Sequence, residues 1–272
     1  MPAATLDGRR VHWLDQGEGQ PALVLLHAFP LHAGMWAPQI EALSTHTRVV
    51  APDLLGFGAS AVPDDPDSYS VDGWADQVAG LIEHLGLGPV VLGGLSMGGY
   101  VAFAFVRRHR SRLAGLVLAD TRPGPDTPEV AERRRNHARQ VLDGDLASLR
   151  ETLLEGLLSE HTRHHRPEVV DATRALTDQP PAGVVGALSA MLRRSDSTPD
   201  LAIIDVPTLV VVGEEDGPSP PAVARAMQGA VPGATLAVLA GAGHLSSLEA
   251  PEAFNAALEQ HLGRCRAEGG RR

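Results

Sequence analysis

Six short runs of this chain are apolar without interruption at their centres: "ALVLLH" (22–27), "RVVAPD" (48–53), "VVLGGL" (90–95), "AGLVLAD" (114–120), "TLVVVG" (208–213) and "ATLAVLA" (234–240). A strand with one wet face alternates apolar and polar residues. A strand covered on both faces does not, so these runs predict a largely parallel sheet between two helical layers. Helical stretches fall between the runs, such as "VDGWADQVAGLIEHLG", which closes on a glycine stop signal. Strand and helix in repeated succession predict an α/β fold with a doubly wound, mostly parallel sheet. Hydrophobic residues make up 43% of the 272 residues and aromatics only 4%, so the core is expected to be built from Leu, Val and Ala. No internal repeat occurs at solenoid periods.

One segment breaks the rhythm. From Pro123 to Pro199 there is no strand-like run. Leu146, Leu149, Leu153, Leu154, Leu157 and Leu158 recur at helical spacing, and "RPGPDTP" and "SDSTPD" bound the segment. The expected organisation is a core in two parts, 1–122 and 200–272, with a helical cap inserted at 123–199. Further crossover helices of the same layer are the alternative.

Charge excludes several functions. The net charge is −10, which argues against nucleic acid or an anionic membrane as partner. All 23 basic residues are arginines. A chain without lysine has no Schiff-base amine and no Walker-type phosphate lysine. The single cysteine, Cys265, forms no internal disulfide. "MPAATLDGRR" lacks a signal core, and no run reaches the roughly 18 residues of a membrane span. A cytoplasmic protein is therefore expected. Its oligomeric state is left open, a homo-oligomer included.

Within "VVLGGLSMGGYVAFAF" (90–105), Gly94-Leu95-Ser96-Met97-Gly98 matches G-x-S-x-G between a predicted strand and a predicted helix. In that context the pattern forms a nucleophile elbow, a turn so tight that flanking glycines are needed to avoid Cβ clashes. The helix N-terminus beneath the serine offers the Met97 amide to a developing oxyanion. A serine hydroxyl needs a base. Of 12 histidines, His244 is the candidate, on the glycine-flanked loop "GAGHLSSLEAPEAF" after the last strand run. "HTRHH" (161–165) has no Cys or carboxylate set beside it and reads as a polar surface.

The base needs an orienting carboxylate. Asp216, in "GEEDGPSPP", follows a strand run and gives the chain order Ser96, Asp216, His244 found in hydrolases with this elbow. Glu214, Glu215 and Asp120 compete by position, and a helix cap is another role open to Asp216. The second oxyanion donor is expected from the loop after the first run, as the amide of Phe29 in "HAFP".

These five elements ("HAFP", "APDLLGFGAS", "GLSMGG", "GEEDGPSPP" and "GAGHLSSLEAPEAF") together resemble the α/β-hydrolase superfamily over nearly the whole chain. The combination is most like its 3-oxoadipate enol-lactonase-like and carboxylesterase group. The resemblance implies an α/β-hydrolase fold, a structural role for Asp53 and Ser60, and hydrolysis of small aliphatic esters or lactones through Ser96. The chain departs from the usual His-Gly at the oxyanion loop, with His27-Ala28, and a positive φ there would cost alanine more than glycine. Dehalogenase and epoxide-hydrolase branches, which place Asp at the elbow, do not fit Ser96. Carbon–carbon bond hydrolases typically carry Trp after the histidine, where this chain has Leu245. A cofactor-free haloperoxidase or perhydrolase with the same triad, and a non-catalytic binding member, are the other readings. Leu31, Trp36 and Leu245 are expected to line the substrate pocket. No metal or organic cofactor is called for.

Overall fold

A computed structural model describes residues 2–269. All six apolar runs are strands. In chain order the elements are β1 (Ala3–Leu6), β2 (Arg9–Gln16), β3 (Leu23–Leu26), α1 (Ala37–Leu43), β4 (Val49–Pro52), α2 (Val71–His84), β5 (Val90–Leu95), α3 (Met97–His109) and β6 (Leu113–Ala119). Five helices follow without a strand: α4 (Pro128–Leu142), α5 (Leu146–Leu157), α6 (Glu160–His165), α7 (Pro167–Leu176) and α8 (Pro181–Leu192). The chain then completes β7 (Thr208–Gly213), α9 (Pro221–Ala230), β8 (Thr235–Leu239), α10 (Ser246–Glu249) and α11 (Pro251–Gly269).

The eight strands run in the order β1-β2-β4-β3-β5-β6-β7-β8. Pairing is parallel from β4 to β8 and antiparallel for β1–β2 and β2–β4. The first two strands are absent from the sequence reading. They form a hairpin whose loop is Asp7-Gly8, both at positive φ (47° and 76°), with Leu6 paired to Arg9. Asp-Gly is the preferred loop for a two-residue turn of this hand, so the signal was present.

The uninterrupted runs of β3 to β7 reflect burial on both sides; β8, at the sheet edge, is partly exposed although its run is also continuous. Val24, Leu26 and Leu92 face one core with Trp74, Val78 and Phe103 of α2 and α3. Their neighbours Leu23, Leu25 and Val91 face a second core with Leu43, Phe254 and Leu258 of α1 and α11. Alternate residues of one strand thus serve opposite layers. Each fully buried Leu or Val contributes about 1.5–3 kcal/mol against exposure. From β3 the chain steps outward to β4, then returns to β5 on the other side of β3. The loops after β3 and β5 therefore diverge at the carboxyl ends of the strands, where a crevice opens. Among the described residues no helix is long and apolar enough to cross a membrane.

Candidate active site

Ser96 stands at the junction of β5 and α3 with φ 54° and ψ −110°. That conformation costs a non-glycine residue on the order of 1–3 kcal/mol and persists only when its surroundings enforce it. Here the Ser96 amide donates to the Ala119 carbonyl (3.0 Å), and the Thr121 hydroxyl donates to the Ser96 carbonyl (2.8 Å). A Cβ on Gly94 would collide with the Gly98 carbonyl, and one on Gly98 with the Leu26 carbonyl. The turn is packed backbone against backbone, which is why glycine brackets the serine.

The structure brings Ser96, His244 and Asp216 together from three strand ends. The Ser96 hydroxyl lies 2.8 Å from His244 Nε2, and His244 Nδ1 lies 2.9 Å from Asp216 Oδ1. The Ser219 amide also donates to Asp216 Oδ1 (2.8 Å). His244 and Asp216 are buried. The histidine loop is tied to α5: the amides of His244 and Leu245 both donate to the carbonyl of Leu157 (3.0 and 3.2 Å). Glu249, buried and absent from the sequence reading, accepts from the amides of Gly243 (3.0 Å) and Ser159 (2.8 Å).

Asp120 does not contact His244. It ends β6 at φ 46°, accepts from the Gly213 amide (2.8 Å) at Oδ1 and is hydrogen-bonded to the Ser246 hydroxyl at Oδ2. Burial first, then the Asp216 charge, push the Asp120 pKa well above the usual carboxylate range. Asp120, in a dry site beside a second carboxyl, therefore holds its proton to higher pH than an ordinary carboxylate. Glu214 and Glu215 are exposed, away from the imidazole. Asp53 accepts from the amides of Ala33 (2.9 Å) and Ala59 (2.8 Å) and pairs with His12 (2.7 Å), which holds loops together as expected.

At the oxyanion loop His27 is fully buried. Burial lowers its pKa to about 4, so the ring is neutral. Its Nδ1–H donates to the Ala28 carbonyl (3.0 Å) and its Nε2 accepts from the Leu54 amide (3.0 Å). The Ala28 amide is spent on the Met35 sulfur (3.2 Å). The next amide, Phe29, donates to no other group among the described residues. Met97, as the first residue of α3, has an amide with no intrahelical acceptor. Positive φ among described non-glycine residues is confined to Asp7, Ser96 and Asp120, so alanine replaces glycine at position 28 without backbone strain.

A cavity of about 110 Å³ opens over Ser96 and His244. Phe29, Tyr100 and, from the helices between β6 and β7, Val130, Leu153, Leu157 and Met191 supply its apolar wall. Leu31, Trp36 and Leu245 do not line it, contrary to the sequence expectation. All three are buried in the core on the α1–α11 side of the sheet, with Trp36 against Phe254 at 6.0 Å between ring centroids. After Phe29 the chain dives into that layer as a single helical turn, Ala33–Trp36, and Leu245 points the same way while its amide is held by Leu157.

The polar wall is cationic. Arg122, Arg133, Arg134 and His137 line the cavity, and among the described residues no carboxylate does. Arg134 and Arg194 share Asp126 (2.7 and 2.9 Å), and Arg194 stacks 4.2 Å from the Tyr100 ring centre. Burial lowers the His137 pKa, helped by Arg133 and Arg134. Of the other arginines between β6 and β7, Arg135 pairs with Glu132 and Arg193 with Asp67, outside this cavity. Arg122 was missed, being a single arginine past a strand end with no motif to mark it. A second cavity of about 580 Å³ adjoins the first, sharing Arg133, His137, Leu153, Leu157 and Pro218 with it.

The model of the family described as "alpha/beta hydrolase fold" matches residues 21–251, and the chain belongs to that family. It is 30% identical to 2-hydroxymuconate semialdehyde hydrolase of Pseudomonas putida, over 94% of this chain and 91% of that protein. A thermophilic esterase from Thermogutta terrifontis, solved with malate bound, superposes with a TM-score of 0.91 at 40% identity, covering 97% of this chain and 98% of that one. The enol-lactonase from Burkholderia xenovorans LB400 superposes with a TM-score of 0.89 at 29% identity, covering 96% and 100%.

Proposed function

We propose that this chain is a serine hydrolase that cleaves small carboxylic esters or lactones through an acyl-enzyme on Ser96. The observation that carries the reading is the continuous hydrogen-bond path from Ser96 through His244 to a buried Asp216. His244 Nε2 takes the hydroxyl proton as the Ser96 oxygen attacks the carbonyl carbon. Asp216 fixes the imidazole tautomer and stabilises the cation that forms. The amides of Phe29 and Met97 receive the oxyanion. The tetrahedral centre collapses, the carbon–oxygen bond to the leaving group breaks, and His244 returns the proton to that oxygen. Water then repeats the sequence on the acyl-enzyme and releases the acid. The names of the Thermogutta terrifontis esterase and the Burkholderia xenovorans enol-lactonase support ester or lactone chemistry at this site.

Labelling with a fluorophosphonate, followed by peptide mapping, tests the reading: Ser96 is the modified residue, and His244→Ala abolishes labelling. Turnover of p-nitrophenyl acetate falls by roughly 10⁴–10⁶ in Ser96→Ala and in His244→Ala with the circular dichroism unchanged. Retained turnover in purified Ser96→Ala refutes the mechanism.

A further inference from the structure

On the reading just proposed, we infer that the second, outer cavity, between α4, α5 and the loop that carries Asp216, is the subsite of the leaving alcohol, and that the substrate is a short-chain acyl ester of a larger, mainly apolar alcohol. The two cavities differ in size: about 110 Å³ over Ser96 against about 580 Å³ outside it. The outer volume lies in the range of pockets that hold a drug-sized molecule, roughly 300–1,000 Å³, and the inner one falls well below it. A substrate that uses both is therefore unequal about its scissile bond, with its small half inside.

Stereochemistry decides which half is small. Four groups surround the tetrahedral carbon: Ser96 Oγ, the oxyanion, the leaving oxygen and the acyl chain. The oxyanion turns to the Phe29 and Met97 amides. His244 Nε2 hands its proton to the leaving oxygen, so that oxygen lies on the base side. The passage to the outer cavity opens on the same side. Of the residues that line both cavities, Leu157 holds the His244 amide through its carbonyl, and Pro218 follows shortly after Asp216. Phe29, Tyr100 and Met191 line the inner cavity alone, so the acyl chain ends against them. The inner part of the outer cavity is apolar, from Leu153, Leu157, Leu158 and Pro218, all buried or half-buried. Its charged side chains are exposed and of both signs, Arg133 and Arg163 against Glu155 and Glu160, and form a wet rim. Gly156 keeps the space open: a Cβ there meets no atom within 4 Å. The same space admits an acceptor alcohol once the acyl-enzyme has formed. The alcohol oxygen attacks the acyl carbon, His244 takes its proton, and Ser96 Oγ departs with that proton as a new ester is released.

The test is hydrolysis in a pH-stat of hexyl acetate against methyl heptanoate, isomers that differ only in which side of the ester carries the chain. Wild-type kcat/KM favours hexyl acetate by a factor on the order of 10–100, the scale of a few methylenes buried or left out. Gly156→Trp fills the outer cavity and brings the ratio close to one. Gly263→Trp, the same change at an exposed glycine of α11 with equally open surroundings, keeps the wild-type ratio. Equal turnover of the isomers, a preference for methyl heptanoate, or a preference for hexyl acetate that survives Gly156→Trp overturns the inference. Should Gly156→Trp fail to fold, acyl transfer by the wild type decides. With p-nitrophenyl acetate as donor and equimolar 1-hexanol and methanol as acceptors, gas chromatography finds hexyl acetate in excess over methyl acetate; methyl acetate in equal or greater amount refutes the subsite. An enzyme that fluorophosphonate labels at Ser96 but that lacks the preference for hexyl acetate refutes the subsite alone. An enzyme that is neither labelled nor active on either ester refutes the hydrolase reading, and the subsite with it.

Discussion

Asp216 and Asp120 are the same side chain in two electrostatic situations, and their substitutions separate accordingly. Asp216 touches the imidazole, so Asp216→Asn, which stabilises the wrong tautomer, lowers turnover by about 10⁴. Asp120→Asn keeps an uncharged group against the Gly213 amide and costs about tenfold or less in the same kinetic assay, since the residue it imitates already carries a proton. Stability discriminates further. An unfolded Asp titrates near ~3.9, whereas the native Asp120 holds its proton to higher pH. Between those values the native state binds more protons than the unfolded state, so this group's contribution falls as pH rises. Asp120→Asn removes that decline, which Tm measured against pH reports as a flatter fall above pH ~3.9. That Ser96, His244 and Asp216 come together was legible in the sequence because each sits in a glycine-marked loop at a strand end. Arg122 was not, because an arginine's worth depends on which carboxylates lie near it in space, and those come from distant residues.

At the scale of elements, the apolar runs identified every strand buried on both faces. They also identified β8, a partly exposed edge strand whose run is nevertheless continuous, but not β1 and β2, whose sequences are interrupted by charged residues; there the Asp7-Gly8 loop was the usable signal. Side-chain direction in loops was the other gap. Leu31, Trp36 and Leu245 lie within a few residues of site groups, but a turn of helix or a single backbone bond decides which layer they enter. The loop that carries His244 owes its position to Glu249, whose carboxylate satisfies two amides from different elements. Glu249→Ala leaves both buried donors without acceptors, at a cost of roughly 2–4 kcal/mol, which lowers Tm by about 5–15 °C in differential scanning calorimetry.

For the whole molecule, the cavity wall predicts what is turned over. The helices between β6 and β7 contribute Val130, Leu153, Leu157 and Met191 and no aromatic ring. That side of the wall buries methylenes at about 0.8 kcal/mol each and provides no stacking, which leaves the rings of Phe29 and Tyr100 on the opposite side and a cavity of only about 110 Å³ for an acyl group. In a spectrophotometric panel, p-nitrophenyl acetate and butyrate are therefore hydrolysed well and p-nitrophenyl benzoate poorly; a preference for benzoate contradicts the wall as described. The Leu157 carbonyl has a consequence of a different kind. It closes α5, the helix that roofs the cavity, and it is also the acceptor for the amides of His244 and Leu245. The same residue lines the cavity with its side chain, so the wall that meets a ligand and the loop that carries His244 share one anchor, and a change of shape at Leu157 is felt at both.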